Sequence, residues 1–480
     1  MLQMVIHPNT IIMNKKLIIS TLAVLCSIAL AYAFINTKKT SSVASPDGKE
    51  LYKDYCIGCH NDHKSSFTNR QWLFGNKKDE IINSIKHGRV SYGMPAFSGG
   101  LNEQQIIDIT DYIISLASLK KSKVVEVKSS EIVKSEDQIF KVDTVVTGLD
   151  VPWGLEFLPN GRLLISERGG DLLLYTKDGQ LTKVSNVPEV KAKSQGGLLD
   201  LELHPQYQKN GWIYIAYSSP NEIDKSIANT AIMRARLKGT SLVDHELLFK
   251  AHPETDKSYH YGCKLEFDKK GYLYFSVGDR GNRDRNPQSL DNDCGKIHRI
   301  YDDGRIPIDN PFYTMKDARP TIYSYGHRNP QGVCMHPETG RIWTDEHGPK
   351  GGDEINLIES GKNYGWPLIS FGINYNGTTF TNDTARAGME QPITYWVPSI
   401  APCGMTFVKG NRYPNWVNNI LTGSLRFEYL HRVVLDGDKV VHEEKLLEGI
   451  GRVRNVEMSP DGYIYVAIEK PGKIIKLIPL

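Results

Sequence analysis

Residues 155–165 read LEFLPNGRLLI, a β-strand, a tight turn and a second β-strand. Pro159, Asn160 and Gly161 form the turn, and apolar residues alternate on both sides of it, as in an antiparallel hairpin. The same pattern recurs five more times, once in a looser form. The six copies cover residues 155–165, 201–215, 265–275, 333–343, 405–421 and 456–466.

This recurrence decides the fold class. Copies of one hairpin that return every fifty to seventy residues or so are typical of a β-propeller with one four-stranded sheet per copy. A β-sandwich is the alternative, but it does not explain six recurrences of one hairpin type. We therefore predict a mainly β protein, with a six-bladed propeller over residues 139–480.

A different kind of motif lies near the start of the chain, where residues 56–60 read CIGCH. CxxCH is the attachment pattern of c-type heme, in which Cys56 and Cys59 bind the heme covalently and His60 ligates the iron. Met94 is the expected sixth ligand, because a thioether suits an electron carrier. His63 and His87 are competing ligands, and Met94 could instead be an ordinary core residue.

The surrounding segment predicts a small all-α domain over residues 46–119. Its clearest helix runs from Leu101 to Leu119, with Asn102 as the cap. One face of this helix is apolar; it carries Ile106, Ile109, Ile113 and Leu116. The domain resembles a class I cytochrome c. Residues 120–138 are rich in Lys, Glu and Ser without a period, and we interpret them as a linker.

Residues 1–33 have the features of a signal peptide, namely Lys15 and Lys16, an apolar run, and Ala31-Tyr32-Ala33 as the cleavage signal. We expect export to the periplasm with cleavage, while an uncleaved membrane anchor is the alternative. The formal charge of +3 argues against nucleic acid as a partner. Export permits disulfides, but the sequence does not pair the four later cysteines; these are Cys263, Cys294, Cys334 and Cys403.

Several hairpin copies carry a polar residue eight to ten positions before the turn. Gln195, His260, Arg328 and Arg452 occupy this position, with Arg454 on the same side of its strand. Equivalent positions in the blades of a propeller meet at one mouth of the central channel. We therefore predict that these side chains converge on a single site.

The residue types indicate the chemistry of that site. Arginines around one axis, with Arg426 as a further candidate, suit a planar polyanion with carboxylates. His260 could act as a base, and Asp279 could orient its imidazole. Oxygen ligands for Ca²⁺ are expected from His347-Gly348-Pro349 and from Asp353-Glu354.

Residues 139–480 resemble the soluble quinoprotein sugar dehydrogenases, which are six-bladed propellers that use pyrroloquinoline quinone (PQQ) and Ca²⁺. The matching stretches are VPWGLEFLPNGRLLISER, QGGLLDLELHP, GKIHRIYDDGRIPIDNPF, YGHRNPQG, EHGPKGGDEINLI and NYGWP. The resemblance implies His260 as the base and Asp279 as its support. It implies cofactor contacts from Gln195, Arg328, Asn329, Ser399, Arg426, Arg452 and Arg454. It places an active-site Ca²⁺ on the carbonyls of Gly348 and Pro349, and a structural Ca²⁺ on Glu354 and Tyr364.

The implied reaction oxidises an aldose at C1 to its lactone, with His260 taking the hydroxyl proton and Arg328 stabilising negative charge on PQQ. Electrons then pass to the heme c and on to an external acceptor. The chain departs from the pattern of the glucose enzyme at Tyr259, Cys263, Lys264, Ser399 and Arg426, so a broad aldose preference is expected. Two alternatives are a calcium-dependent propeller lactonase and a propeller that only binds ligands.

Overall fold

A computed structural model describes residues 47–56, 60, 72, 74–90, 94–118 and 131–480. The signal peptide, Cys59, His63 and most of the linker lie outside these residues. Within them, no helix has the length and apolar character needed to cross a membrane.

The six hairpin copies form six antiparallel sheets, which confirms the propeller. Blade 1 contains β3 (Pro152–Phe157), β4 (Leu163–Glu167), β5 (Leu172–Tyr175) and β6 (Leu181–Lys183). Blade 2 contains β7 (Leu198–Leu203), β8 (Trp212–Pro220), β9 (Ala228–Lys238) and β10 (Ser241–Lys250), and a one-turn helix (Tyr207–Asn210) joins its first two strands. Blade 3 contains β11 (Leu265–Phe267), β12 (Tyr272–Val277), β13 (Lys296–Tyr301) and β14 (Ile322–Tyr325).

Blades 4 to 6 follow the same plan. Blade 4 contains β15 (Pro330–Met335), β16 (Ile342–Glu346), β17 (Asp353–Ile358) and β18 (Thr394–Trp396). Blade 5 contains β19 (Pro402–Phe407), β20 (Ile420–Ser424), β21 (Tyr429–Asp436) and β22 (Lys439–Leu446), with a 3₁₀ turn at Pro414–Trp416. Blade 6 contains β23 (Val453–Met458), β24 (Ile464–Glu469) and β25 (Gly472–Pro479).

The ring closes through its two chain ends. Strand β2 (Ile139–Leu149) pairs with β25 and so completes blade 6 from the N-terminal side. This arrangement leaves no broken seam between the first and last blades, and it links residues more than three hundred positions apart. The first strands of neighbouring blades pack side by side around the axis, including β23 against β3.

The hairpin register agrees with the sequence pattern. Leu155 pairs with Ile165, Leu201 with Ile215, Leu265 with Phe275, and Val456 with Val466. In blades 4 and 5 the register differs by one residue, because Val333 pairs with Thr344 and Met405 with Thr422. The length of the turn sets this register, since six residues separate the paired Met335 and Ile342 in blade 4, whereas five separate Phe157 and Leu163 in blade 1.

The last part of the segment interpreted as a linker, residues 120–138, forms a β-strand. Strand β1 (Ile132–Lys134) pairs with β2 at the edge of blade 6. Arg432 of blade 5 binds Asp137 at 2.8 Å. Backbone pairing and this ion pair fix the end of the segment, although its composition gives no strand period.

Among the described residues, three helices precede the propeller: α1 (Gly48–Tyr55), α2 (Lys78–His87) and α3 (Glu103–Ser118). Asn102 caps α3, since its Oδ1 accepts from the Gln105 backbone at 2.9 Å, and Gln105 returns the contact to the Asn102 N–H. The predicted apolar face of α3 is buried in one cluster with Leu51, Ile81 and Phe97. The small all-α domain is therefore confirmed.

Candidate active site

The first strand of each blade begins at the same end of the channel, and the polar residues predicted from the register lie at or just before these starts. Gln195 and His260 precede β7 and β11, while Arg328 precedes β15. Arg452 directly precedes β23, and Arg454 is the second residue of that strand. Neighbouring blades therefore bring together residues that are distant in the chain.

His260 and Asp279 form the central pair. Nδ1 of His260 lies 2.7 Å from Oδ1 of Asp279, and the His260 backbone N–H donates to Oε1 of Gln195 at 2.7 Å. The other Asp279 oxygen accepts from the Trp366 indole at 2.9 Å. His260 has a φ of 57°, a strained backbone conformation of the kind that concentrates at functional sites. The imidazole is thus fixed with Nε2 directed away from Asp279.

The surroundings keep His260 neutral. Burial lowers the pKa of His260 below its ordinary 6.5, and Arg328 lowers it further, while Asp279 opposes both effects. Burial would raise the pKa of Asp279, but His260 and Arg328 outweigh it and hold the pKa below 3.8. A neutral imidazole beside a charged carboxylate has the protonation state that a general base needs.

Arg328 is held by groups from blade 4. Its guanidinium donates to the His347 carbonyl at 2.9 Å and lies 5.4 Å from the centre of the Trp366 ring. Glu346 accepts from the Arg328 backbone N–H and, at 2.9 Å, contacts Nδ1 of His327. These contacts fix the position of Arg328 before any ligand binds.

Arg452 and Arg454 share one carboxylate, that of Glu469. Nε of Arg452 donates to Oε2 at 2.8 Å, and Nε of Arg454 donates to Oε1 at 2.7 Å. The two arginines outweigh the effect of burial and hold the pKa of Glu469 well below its usual range. Arg168 of blade 1 also lies close enough to Arg454 and Glu469 to interact electrostatically with both. The cluster is therefore cationic overall.

Ser399 and Arg426 form the link to the predicted calcium ligands. The Ser399 hydroxyl donates to the Pro349 carbonyl at 3.1 Å, and Arg426 donates to the Ser399 carbonyl at 2.9 Å. His347 lies between the Ser399–Arg426 side of the site and His260. Burial lowers the pKa of His347 to about 3, and the nearby Arg328, Arg454 and His260 contribute in that order. The predicted cofactor contacts thus belong to one site.

A small cavity of about 20 Å³ lies beside Arg328, and all four predicted calcium ligands line it: Gly348, Pro349, Glu354 and Tyr364. Burial raises the pKa of Glu354 to about 8, and Glu346 contributes. Buried carboxylates beside backbone carbonyls are the donor set that Ca²⁺ prefers, and a divalent cation would offset their charge. The Tyr364 hydroxyl, by contrast, donates to the Leu357 carbonyl, so the hydroxyl is already engaged.

Asn329 carries the clearest sign of a missing partner. Its Oδ1 accepts from the Gly262 backbone at 3.2 Å, whereas its buried Nδ2 has no hydrogen-bond partner among the described residues. A buried donor without an acceptor is costly unless a ligand completes it. Together with the arginines, this donor suits a ligand rich in carboxylate and carbonyl oxygens.

The heme ligands are described only in part. Cys56 is buried in the helical cluster, and Met94 packs against the same cluster. His60 follows Cys56 and donates its backbone N–H to the Cys56 carbonyl at 2.9 Å. Cys59 lies outside the described residues, so the full attachment motif stays a prediction from the sequence.

The profile of the glucose/sorbosone dehydrogenase family matches residues 149–476 of this chain. The chain belongs to this family. Residues 44–113 match a second profile, that of cytochrome c oxidase, cbb3-type, subunit III. Both parts of the sequence-based resemblance are thereby confirmed.

Individual relatives cover the propeller. The aldose sugar dehydrogenase of Escherichia coli is 40% identical over 346 residues, which span 70% of this chain and 92% of that protein. The apo structure of that soluble aldose sugar dehydrogenase is similar with a TM-score of 0.68, covering 71% of this chain and all of the other. The PQQ-bound aldose sugar dehydrogenase of Streptomyces coelicolor is 28% identical, with a TM-score of 0.59, and its match covers 71% of this chain and 98% of that structure.

Sequence reasoning missed four supporting residues, namely Arg168, Glu346, Trp366 and Glu469. The first three lie inside the quoted stretches ISER, EHGPKGG and NYGWP, so a signal existed without an assigned role. Glu469 has no such signal, because it ends an ordinary strand. Each of the four acts on another site residue. Glu346 and Glu469 do so from the neighbouring strand of the same blade, whereas Trp366 and Arg168 act on residues of a different blade.

Proposed function

We propose that this member of the family is a quinohemoprotein that oxidises aldose sugars at C1 to lactones. The observation that carries the proposal is the 2.7 Å pair of His260 and Asp279, placed beside Arg328 and a pocket with oxygen ligands. When bound, PQQ would supply a hydride acceptor, Ca²⁺ a Lewis acid and heme c a one-electron carrier toward an external acceptor.

The residues of this chain perform the proton and charge steps. His260 accepts the C1 hydroxyl proton at Nε2, because Nδ1 is engaged by Asp279. Asp279 stabilises the imidazolium that forms and keeps the correct tautomer, and Trp366 fixes Asp279 in turn. Arg328 lies where it can stabilise negative charge that develops on the acceptor.

The remaining site residues bind and orient the cofactor. Arg426, Arg452 and Arg454 suit the carboxylates of PQQ, with Gln195, Asn329 and Ser399 as polar contacts. Gly348 and Pro349 would supply carbonyl oxygens to the active-site Ca²⁺. Glu354 fits the structural Ca²⁺, whereas Tyr364 could contribute only through its carbonyl, since its hydroxyl is engaged.

Tyr259 supports a broad sugar preference. Its ring lies edge-to-face on His260, with 4.8 Å between the centres. The glucose enzyme has an aspartate at this position, which offers a charged acceptor to the sugar, whereas a tyrosine offers an apolar face and one hydroxyl. We also propose that the protein is exported, since c-type heme attachment and the A-x-A leader agree on that compartment.

The test uses the full chain with its heme attached. PQQ, Ca²⁺ and D-glucose are added singly and together while the heme absorption is recorded, and D-galactose, D-xylose and maltose are tried in turn. Reduction of the heme that requires cofactor, calcium and sugar together supports the proposal. A holoprotein that oxidises none of these sugars, with heme or with a redox dye as acceptor, contradicts it. Lactone hydrolysis without PQQ would favour the lactonase alternative instead.

A further inference from the structure

Residues 48–480 form one compact unit, so the helical segment packs on the propeller. The propeller side of this contact is the loop at residues 371–380, which we call the docking loop. Tyr375 of this loop packs against the hydrophobic cluster of the helical segment. The docking loop thus contributes a side chain to the core that also contains Cys56.

The backbones of the docking loop and the helical segment also approach each other closely. A Cβ added to Gly377 would lie 3.3 Å from the Tyr55 ring, and one added to Gly100 would overlap the Asn376 carbonyl. Gly377 also has a φ of 86°, which favours glycine. Two glycines therefore allow the two backbones to meet, and Tyr55 directly precedes the heme-binding Cys56.

Lys350 adds a polar contact to this interface. Its ammonium lies 4.2 Å from the centre of the Tyr55 ring, within the range of a cation–π interaction. Its backbone pairs with Ile373 of the docking loop, with N–O distances of 3.0 and 3.1 Å. Lys350 also follows Pro349, the candidate calcium ligand, so it connects the mouth of the propeller to the heme-bearing segment.

The C-terminal end of the docking loop also contacts residues of the proposed active site. The Phe380 ring packs against the Trp366 ring at 5.2 Å, and Trp366 donates to Asp279. Arg283 donates to Asn374 at 3.0 Å and lies 4.9 Å from the centre of the Phe380 ring. The docking loop is therefore attached at both ends to residues that surround the proposed active site.

From these contacts we infer that Lys350 and the docking loop are positioning elements that hold the heme-bearing segment at the mouth of the active site. Electrons would then leave within one docked unit, and no swing of the segment on its linker is needed. This inference rests on the proposed function for the transfer that it serves. The docking itself is independent of catalysis and can be tested without turnover.

The first test measures hydrogen–deuterium exchange in the full, heme-loaded chain. Lys350→Glu places a carboxylate beside Asp54, and Tyr375→Ala removes the ring from the helical cluster. We expect the amides of residues 49–56 and 373–378 to exchange about tenfold faster in both variants. Lys183→Glu, a charge reversal on an exposed blade edge, serves as the matched control and should leave both segments unchanged. Wild-type exchange in the two docking variants would overturn the inference.

The second test separates docking from catalysis. Stopped-flow absorption follows heme reduction by D-glucose in the PQQ- and Ca²⁺-loaded chain, while a redox dye measures turnover of the propeller directly. The docking variants should reduce the heme about tenfold more slowly and keep dye turnover within about twofold. Heme reduction at the wild-type rate overturns the inference and leaves the proposed function standing. Absence of dye turnover in the wild type with D-glucose, D-galactose, D-xylose and maltose alike overturns the proposed function, while the exchange experiment still tests the docking.

Discussion

The innermost strands carry cationic residues at their starts and glutamates further along. The two regions differ in how their charges are balanced. At the starts of the strands, the mouth contains His260, Arg328, Arg452 and Arg454. Further along these strands, a glutamate directly follows the first-strand residue of each hairpin pair in blades 1, 2, 3 and 6. We call these four residues the acidic cluster: Glu156, Glu202, Glu266 and Glu457. Cys334 and Thr406 take the equivalent positions in blades 4 and 5. The propeller symmetry thus gathers similar residues in both places.

The difference lies in the counter-ions. At the mouth, His260 pairs with Asp279, and Glu469 forms ion pairs with both arginines of blade 6. Asp279 and Glu469 therefore remain ionised. In the acidic cluster, Lys264 is the buried cation, and it binds Asp200 at 3.1 Å and Glu457 at 3.8 Å. Burial and the neighbouring carboxylates raise the pKa of Glu156 and of Glu266 to about 8. The exposed Lys409 and the buried Lys264 both lower the pKa of Glu266, but burial and Glu457 outweigh them, so the carboxylates of the cluster tend to hold protons.

The comparison indicates that the mouth is organised for chemistry and the acidic cluster for folding. At the mouth, fixed charges are available to a ligand before it binds, which is what catalysis requires. In the acidic cluster, protonation removes most of the charge without any ligand. Mutations at the mouth should therefore change activity, and mutations in the cluster should change stability and its dependence on pH.

The largest effect is expected for His260→Ala. Removal of the base should lower sugar-dependent kcat by between about a hundredfold and ten-thousandfold, with heme content unchanged. His442→Ala, at an exposed histidine of blade 5, is the control and should retain full activity. A His260→Ala protein with wild-type turnover would show that the mouth does not use this histidine as its base.

Lys264→Met should have the next largest effect, and on stability. Loss of the buried ammonium leaves Asp200 and the acidic cluster unbalanced, at a cost of about 3 kcal/mol in the free energy of unfolding near pH 7. The loss should shrink as the pH falls toward 4, because the carboxylates become protonated. Urea unfolding at several pH values measures this effect, with Lys183→Met as the control. A pH-independent loss would mean that packing, not charge, governs the cluster.

Asp279→Asn should lower kcat by about ten- to a hundredfold, since the asparagine keeps the shape but cannot stabilise the imidazolium. The pH profile provides a sharper measurement. Activity requires neutral His260, so it is lost as the pH falls through the pKa of His260, which lies below 6.5. Asp279 raises that pKa, and its removal should therefore move the acid limb of kcat/KM to lower pH. A shift to higher pH would contradict the assigned charge of Asp279.

The smallest effect is expected for Glu266→Gln. The folded-state pKa of Glu266, about 8, lies above its unfolded value near 4.3. Its contribution to stability is thus present below pH 4 or so and is lost as the pH rises through 8. Glutamine removes this dependence and should stabilise the protein at pH 8 by about 0.5 kcal/mol, a modest value because water screens this half-buried carboxylate. Thermal melts at pH 5 and pH 8 measure it, with the exposed Glu189→Gln as control.

Much of the fold was predictable because its information is local and repeated. The hairpin pattern gave the blades, and four of the six copies have the expected register. The one-residue offset at Val333 and Met405 was not predicted, because pairing next to a turn depends on the length and conformation of the connection, which the alternation of apolar residues does not define. Strand β1 was missed for a similar reason, since its residues gain their order from β2 and not from their own composition.

The sequence by itself determined the chemistry that this chain carries: CIGCH, the arginines and His260 are types of residue whose roles follow from charge, ligand character and spacing. Tertiary structure decided which groups meet. The approach of Arg168 to Arg454 and Glu469, the contact of Trp366 with Asp279, and the position of Lys350 under Tyr55 join residues far apart in the chain. Such contacts depend on how six blades close into a ring and where the helical segment packs on it, and a linear pattern contains no direct record of that geometry.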